Sequence, residues 1–154
     1  METTTLQDFK LIGIKLPHKT TNLNGQSGID CGNFWQKFET GNYIERIPGK
    51  LSNEIYAVYF EYEGDHLMPY SYFIGCRVNP DTVTPADLEA LSIPESVYTK
   101  IIAKGKMPDC VAHTWKKIWL SDTNRAYQYD FEVYGEKSAD WQNAEVDIFL
   151  SVNV

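Results

Sequence analysis

Hydrophobic positions change period along the chain, and each change marks an element boundary. Residues 9–16 carry the apolar, β-branched run of a strand, which Pro17 ends before a polar loop rich in Asn and Gly. Cys31, Phe34, Trp35 and Phe38 then recur at i, i+3, i+4 and i+7, one face of a helix. Ser27 and Asp30 are spaced as a capping box for it, and Gly41 supplies its stop. Residues 54–62 and 70–78 are β-branched and aromatic runs flanking a polar connection, which predicts a hairpin with a long loop. Residues 80–91 read as a connector holding a short helix, with Thr84 as cap, Pro85 at the first helical position and Asp87 closing the box.

The same order then returns. Residues 97–103 form a strand, Gly105 turns the chain, and Pro108 opens a helix with Val111, Trp115, Ile118 and Trp119 on one face. Residues 129–136 and 145–152 close the chain as two strands around the polar loop 137–144. Strand, helix, strand, strand thus occurs twice. This predicts one pseudosymmetric α+β domain made of two βαββ units, at about 7–78 and 96–153, with a curved, largely antiparallel sheet and both long helices on one side. The runs 54–62 and 70–78 are apolar on both faces, so each face should be covered. Helices would cover one; a ligand cavity would lie on the open side or at the seam between the halves.

One residue breaks the pattern of the second half: Glu132 interrupts the aromatic strand that holds Tyr129, Phe131 and Tyr134. Alternation puts Asp130, Glu132, Tyr134 and Glu136 on one face and Tyr129, Phe131 and Val133 on the other, which by itself directs Glu132 to solvent. Pointing inward, it would be a binding or catalytic group.

Composition narrows the choice. A chain of 154 residues, 43% hydrophobic, suffices for one domain with a substantial core. Its net charge of -7 argues against direct nucleic-acid binding, which rests on clustered Lys and Arg, and suits cationic or neutral partners. Seven Phe, ten Tyr and four Trp exceed the needs of a small core, and Tyr and Trp join a flat apolar face to a polar tip, as pocket walls require. Cys31, Cys76 and Cys110 are odd in number and far apart, with neither zinc nor disulfide spacing, and read as reduced thiols of a cytoplasmic protein. No basic leader precedes an apolar stretch, and no segment approaches the ~18 apolar residues of a membrane span, so no membrane is expected as a partner.

The motifs of the common nucleotide-binding, serine-nucleophile and zinc enzymes are missing. His18, His66 and His113 sit in a loop, a hairpin connection and a helix without ligand spacing, so neither metal nor cofactor is expected. Asp65 and His66 read as ordinary loop polarity, and Lys104, Lys106, Lys116 and Lys117 as a solvated face. Trp115 and Trp119, one turn apart, serve core packing on periodicity alone.

Five short blocks in order carry a further signal: residues 34–38, 55–66, 115–119, 130–134 and 146–148. Together they resemble the effector-binding domain family, the ligand-sensing domain of AraC-type and MerR-type regulators that also occurs alone in gyrase-inhibitory-protein-like proteins. Their order is most similar to the stand-alone integron-associated effector-binding proteins. The resemblance implies a duplicated βαββ fold and an aromatic pocket for bulky lipophilic, often cationic compounds, with one acidic residue on the penultimate strand as charge partner. In this chain that residue is Glu132, and Trp115, Trp119, Tyr59, Tyr72 and Phe38 become the expected walls. The implied role is small-molecule binding in multidrug sensing, transcription regulation or sequestration, without a DNA-binding domain of its own.

Two other readings stay open. Some relatives of the fold hydrolyse strained electrophiles with a pocket acid and an aromatic hydroxyl, which would make Glu132 a general acid/base. A protein partner, as for a gyrase inhibitor, would call for an exposed apolar patch without an enclosed cavity. In any pocket, burial should raise the Glu132 pKa and a bound cation should lower it.

Overall fold

A computed structural model describes residues 2–121 and 123–153. The chain runs β1 (Thr4–Leu6), β2 (Phe9–Lys15), α1 (Gln26–Thr40), α2 (Tyr43–Arg46), β3 (Ile55–Phe60), β4 (Ser71–Val78) and β5 (Glu89–Ile93). It continues through β6 (Ser96–Gly105), α3 (Asp109–Trp119), β7 (Asp130–Tyr134) and β8 (Ala144–Ser151). All eight strands join one sheet in the order β1-β6-β8-β7-β3-β4-β2-β5, and every neighbouring pair is antiparallel.

That order is a palindrome about the β3·β7 seam. First, third and second strands of the later half (β6, β8, β7) mirror the second, third and first of the earlier half (β3, β4, β2). The repeated order expected from hydrophobic periodicity is therefore present, with one addition. Each half has a short leading strand, β1 or β5, and each is paired to the first long strand of the other half: β1 to β6 and β5 to β2.

The sheet is strongly curled. Phe9 on β2 lies 5.5 Å, centroid to centroid, from Phe131 on β7, although β4 and β3 intervene. In a flat sheet three strand spacings would separate those strands by about 14 Å. Tyr98 and Phe149 reach the same ring, at 5.3 and 4.9 Å, so the inside of the curl is filled with aromatic side chains. Close approach of β2 to β4 helps. Gly13 and Gly75 face each other in that ladder, and a Cβ on Gly13 would overlap the Ile74 carbonyl.

The two long helices lie on the other face, one over each half. Phe34 and Phe38 of α1 pack on Ile12, Ala57, Ile74 and Cys76, while Val111, Trp115 and Ile118 of α3 pack on Ala103, Val146, Ile148 and Leu150. Both sheet faces are thus covered, as the doubly apolar strands require. Of the two places expected for a cavity, aromatic side chains of the curl fill the open side, and free volume remains at the other, the seam between the halves.

Local expectations fared unevenly. The predicted helix in residues 80–91 is one turn, closed by Leu88 N–H to the Pro85 carbonyl, after which the chain enters β5. Asp87 does not cap it but pairs with Arg46. Nor does Ser27 form a capping box with Asp30. Helix α1 starts at Gln26 behind the left-handed Gly25, and Asp30 accepts hydrogen bonds from Thr20 Oγ1 (2.7 Å) and Gln26 Nε2 (2.9 Å). The strand expected to reach residue 62 stops at Phe60, because Glu61 turns to φ 51° and sends Tyr62 out of register.

Candidate functional site

Glu132 occupies the middle of β7, opposite Ala57 of β3 and Ile148 of β8, so its side chain rises from the seam into the space between α1 and α3. It is 2% exposed. The alternation read from sequence holds: Asp130, Glu132 and Tyr134 do face away from Phe131. What changes is that this face meets helices instead of water.

Three neutral donors hold the carboxylate. Tyr59 Oη donates to Oε2 at 2.9 Å, Trp115 Nε1 to the same oxygen at 2.5 Å, and Tyr134 Oη to Oε1 at 2.6 Å. Among the described residues no Lys, Arg or His is within ion-pair reach. Burial raises the Glu132 pKa above the usual carboxylate value, and the bonds from Tyr134, Trp115 and Tyr59 draw it only part of the way back. Burial also pushes the Tyr59 and Tyr134 hydroxyls well up, the Glu132 charge adding to the effect, so both remain donors.

A second acid two residues away shows the contrast. Asp130 is fully buried and accepts from Arg125 Nη2 (2.8 Å), Tyr62 Oη (2.7 Å), Ser151 N (2.7 Å) and Ser151 Oγ (2.9 Å). Its charge is matched by a cation and its oxygens are saturated. Glu132 has hydrogen bonds but no counter-charge among the described residues, and of the two acids it is the one that lines the cavity.

That cavity measures ≈ 1610 Å³, larger than the ~300–1,000 Å³ common for small-ligand sites. Tyr59, Tyr72, Trp115, Trp119 and Tyr134 wall it around Glu132, with Trp35 from the α1 side. The rings brace one another: Tyr59 lies 5.0 Å from both Tyr72 and Trp115, Trp35 meets Tyr134 edge-on at 5.0 Å, and Trp35 Nε1 donates to Tyr72 Oη at 2.8 Å. His66 of the β3–β4 loop also lines it, stacked on Trp119 at 5.8 Å.

Of the residues singled out from sequence, Glu132, Trp115, Trp119, Tyr59 and Tyr72 all line this space. Phe38 is the correction. It is 1% exposed, packs between Trp35 and Tyr43 in the core, and forms no part of the wall. Sequence reasoning missed Trp35, Tyr134, His66 and Arg125. Trp35 had a signal: it widens the α1 stripe beyond Phe34 and Phe38, and Trp is the side chain suited to a half-wet position. His66, read as loop polarity, gave none. Among the described residues no cluster of His, Cys, Asp and Glu could hold a metal ion, and no helix is long and apolar enough to cross a membrane.

A curled antiparallel sheet with two helices astride a central aromatic cavity is the architecture of an effector-binding domain. The chain belongs to the integron-associated effector binding protein family, whose pattern matches residues 2–152. It is 26% identical to an integron cassette protein from the mobile metagenome of Vibrio cholerae, covering 99% of this chain and 95% of that one at a TM-score of 0.74. It shares its fold with SAV2435, whose structure was solved with tetraphenylphosphonium, at a TM-score of 0.78 and 18% identity over 99% of this chain and 93% of that one. It is also 31% identical over 101 residues to YobU of Bacillus subtilis strain 168, a protein named as a candidate transcriptional regulator. That match spans 64% of this chain and 63% of the relative.

Proposed function

We propose that this protein binds bulky lipophilic organic cations in the seam cavity, with Glu132 as the charge partner, and serves as a sensing or sequestering module for such compounds. One observation carries the reading: a buried carboxylate with no counter-ion among the described residues at the floor of an aromatic cavity. Burial of an unpaired charge is costly, and a cation arriving in the cavity removes that cost. A delocalised cation sheds its hydration more readily than an ammonium ion, and each aromatic face adds about 0.5–2 kcal/mol. Tetraphenylphosphonium, bound by a protein of the same fold, is a compound of this kind.

The test uses two ions of equal shape and opposite charge. Tetraphenylphosphonium should raise the melting temperature, since a ligand selective for the folded state stabilises it by mass action. Tetraphenylborate should not. Equal shifts from both ions would leave only apolar binding and remove the role given to Glu132.

A second reading has one observation in its favour: Tyr59 and Tyr134 stand within hydrogen-bond reach of Glu132, as a general acid/base with an aromatic hydroxyl would need. Both hydroxyls are spent on the carboxylate, however, and binding remains the better-supported function. Turnover of activated esters or cyclopropane-bearing compounds by the wild type, abolished in Glu132→Gln, would reverse that ranking.

A further inference from the structure

Arg125 lies on the segment between α3 and β7, and its side chain is 5% exposed. It lines the same cavity as Glu132. Its Nη2 is committed to Asp130 at 2.8 Å and stands 3.5 Å from Tyr62 Oη. Its faces are covered too, with the guanidinium carbon 4.3 Å from the Tyr127 ring centroid and 5.7 Å from that of Trp115. Stacking satisfies the faces of a guanidinium and leaves its in-plane N–H groups unmet. Here Nε and Nη1 are buried and have no hydrogen-bond partner among the described residues. Buried donors of this kind are ordinarily paired, and an exception on a cavity wall points to a ligand atom.

The chemistry of that atom follows from the neighbouring charges. Asp130 already neutralises Arg125, so the unused capacity is for hydrogen bonding and not for net negative charge. A carboxylate brought to this spot would meet both Asp130 and Glu132. A carbonyl or similar neutral acceptor would take these N–H groups without bringing a net negative charge against Asp130 and Glu132. Trp115 fixes the spacing, because its Nε1 binds Glu132 while its ring lies against Arg125, placing the two polar groups one indole apart.

We propose that Arg125 is the second pole of the ligand site, its Nε and Nη1 donating to a neutral carbonyl-type acceptor carried by the same cation that Glu132 holds. Tyr127, half-buried, stacks on the guanidinium face and leaves these in-plane donors uncovered by its ring. This rests on the cation-binding reading and specifies the class of ligand further: a lipophilic cation with a neutral acceptor at its far end.

Two phosphonium salts test it by calorimetry: 4-acetylbenzyl- and 4-isopropenylbenzyl-triphenylphosphonium, alike in charge and shape and differing by C=O against C=CH2. The wild type should prefer the acetyl compound by about tenfold. Arg125→Lys keeps a cation beside Asp130 but removes the fork, and it should bring the ratio close to one. The double variant Arg125→Gln with Asp130→Asn, which removes both charges of the buried pair together, should do the same should the lysine variant fold poorly. Glu132→Gln should weaken both compounds and leave their ratio standing. Equal affinities in the wild type, or a preference that survives in both Arg125 variants, would overturn the assignment while leaving cation binding intact. Absence of binding by either compound would instead sink the cation reading and this inference with it.

Discussion

Replacing Glu132 by Gln removes one charge from the cavity floor and almost nothing else. The amide can keep its carbonyl where Oε2 accepts from Trp115 and Tyr59, with its NH2 toward Tyr134, whose hydroxyl turns to accept. A phosphonium or xanthylium centre wrapped in phenyl groups comes no nearer than about 6 Å to that carboxylate, and at an effective dielectric near 20 the lost attraction is about 3 kcal/mol. That corresponds to roughly a 100-fold rise in Kd, read by fluorescence titration of a lipophilic cationic dye. The fold should not suffer. Glu132 is 2% exposed and has no counter-ion among the described residues, so neutralising it relieves a burial cost, and the unliganded variant should melt no lower than the wild type near neutral pH. A Kd within threefold of the wild type, in a variant with an unchanged melting temperature, would refute the charge-partner argument.

Two further outcomes follow from the same geometry. Because burial raises the Glu132 pKa, the stability linked to its neutral form is fully present below the ordinary glutamate range and is lost as pH rises through the raised value. Cation affinity should climb through that same window with release of up to one proton, and Glu132→Gln should flatten the calorimetric pH profile; parallel profiles in both proteins, with His66→Gln as control, would contradict the linkage. Asp130→Asn should act in the opposite direction to Glu132→Gln, since it leaves the 5%-exposed Arg125 side chain buried without its carboxylate. The expected cost of about 3–5 kcal/mol would lower Tm by roughly 10 °C, and a scan showing less than about 2 °C would mean that the buried pair matters little.

Much of the architecture was legible because periodicity is a local property. Cys31, Phe34, Trp35 and Phe38 at i, i+3, i+4 and i+7 mark α1, and Val111, Trp115 and Ile118 at i, i+4 and i+7 mark α3. The short strands escaped notice for the complementary reason. β1 is three residues long, too brief for a pattern, β5 begins inside the run read as a connector with a short helix, and each pairs with a strand of the opposite half. Phe38 and Trp35 show the same limit on a helix: both belong to the apolar stripe, but only the splay of α1 from α3 places one in the core and the other on the cavity wall.

Amino-acid order by itself determined the duplicated strand-helix-strand-strand plan, the aromatic excess and the shared face of Asp130 and Glu132, because side-chain direction along a strand follows from backbone geometry alone. What covers that face is not a local property. Arg125, Tyr62 and Ser151 converge on Asp130 from separate parts of the chain and make it half of a closed ion pair. Above Glu132 the two helices part, and tyrosine and tryptophan donors hold the carboxylate without neutralising it. Two acids of one strand and one face thus acquired different roles from burial and counter-charge, quantities that exist only once distant segments have packed together.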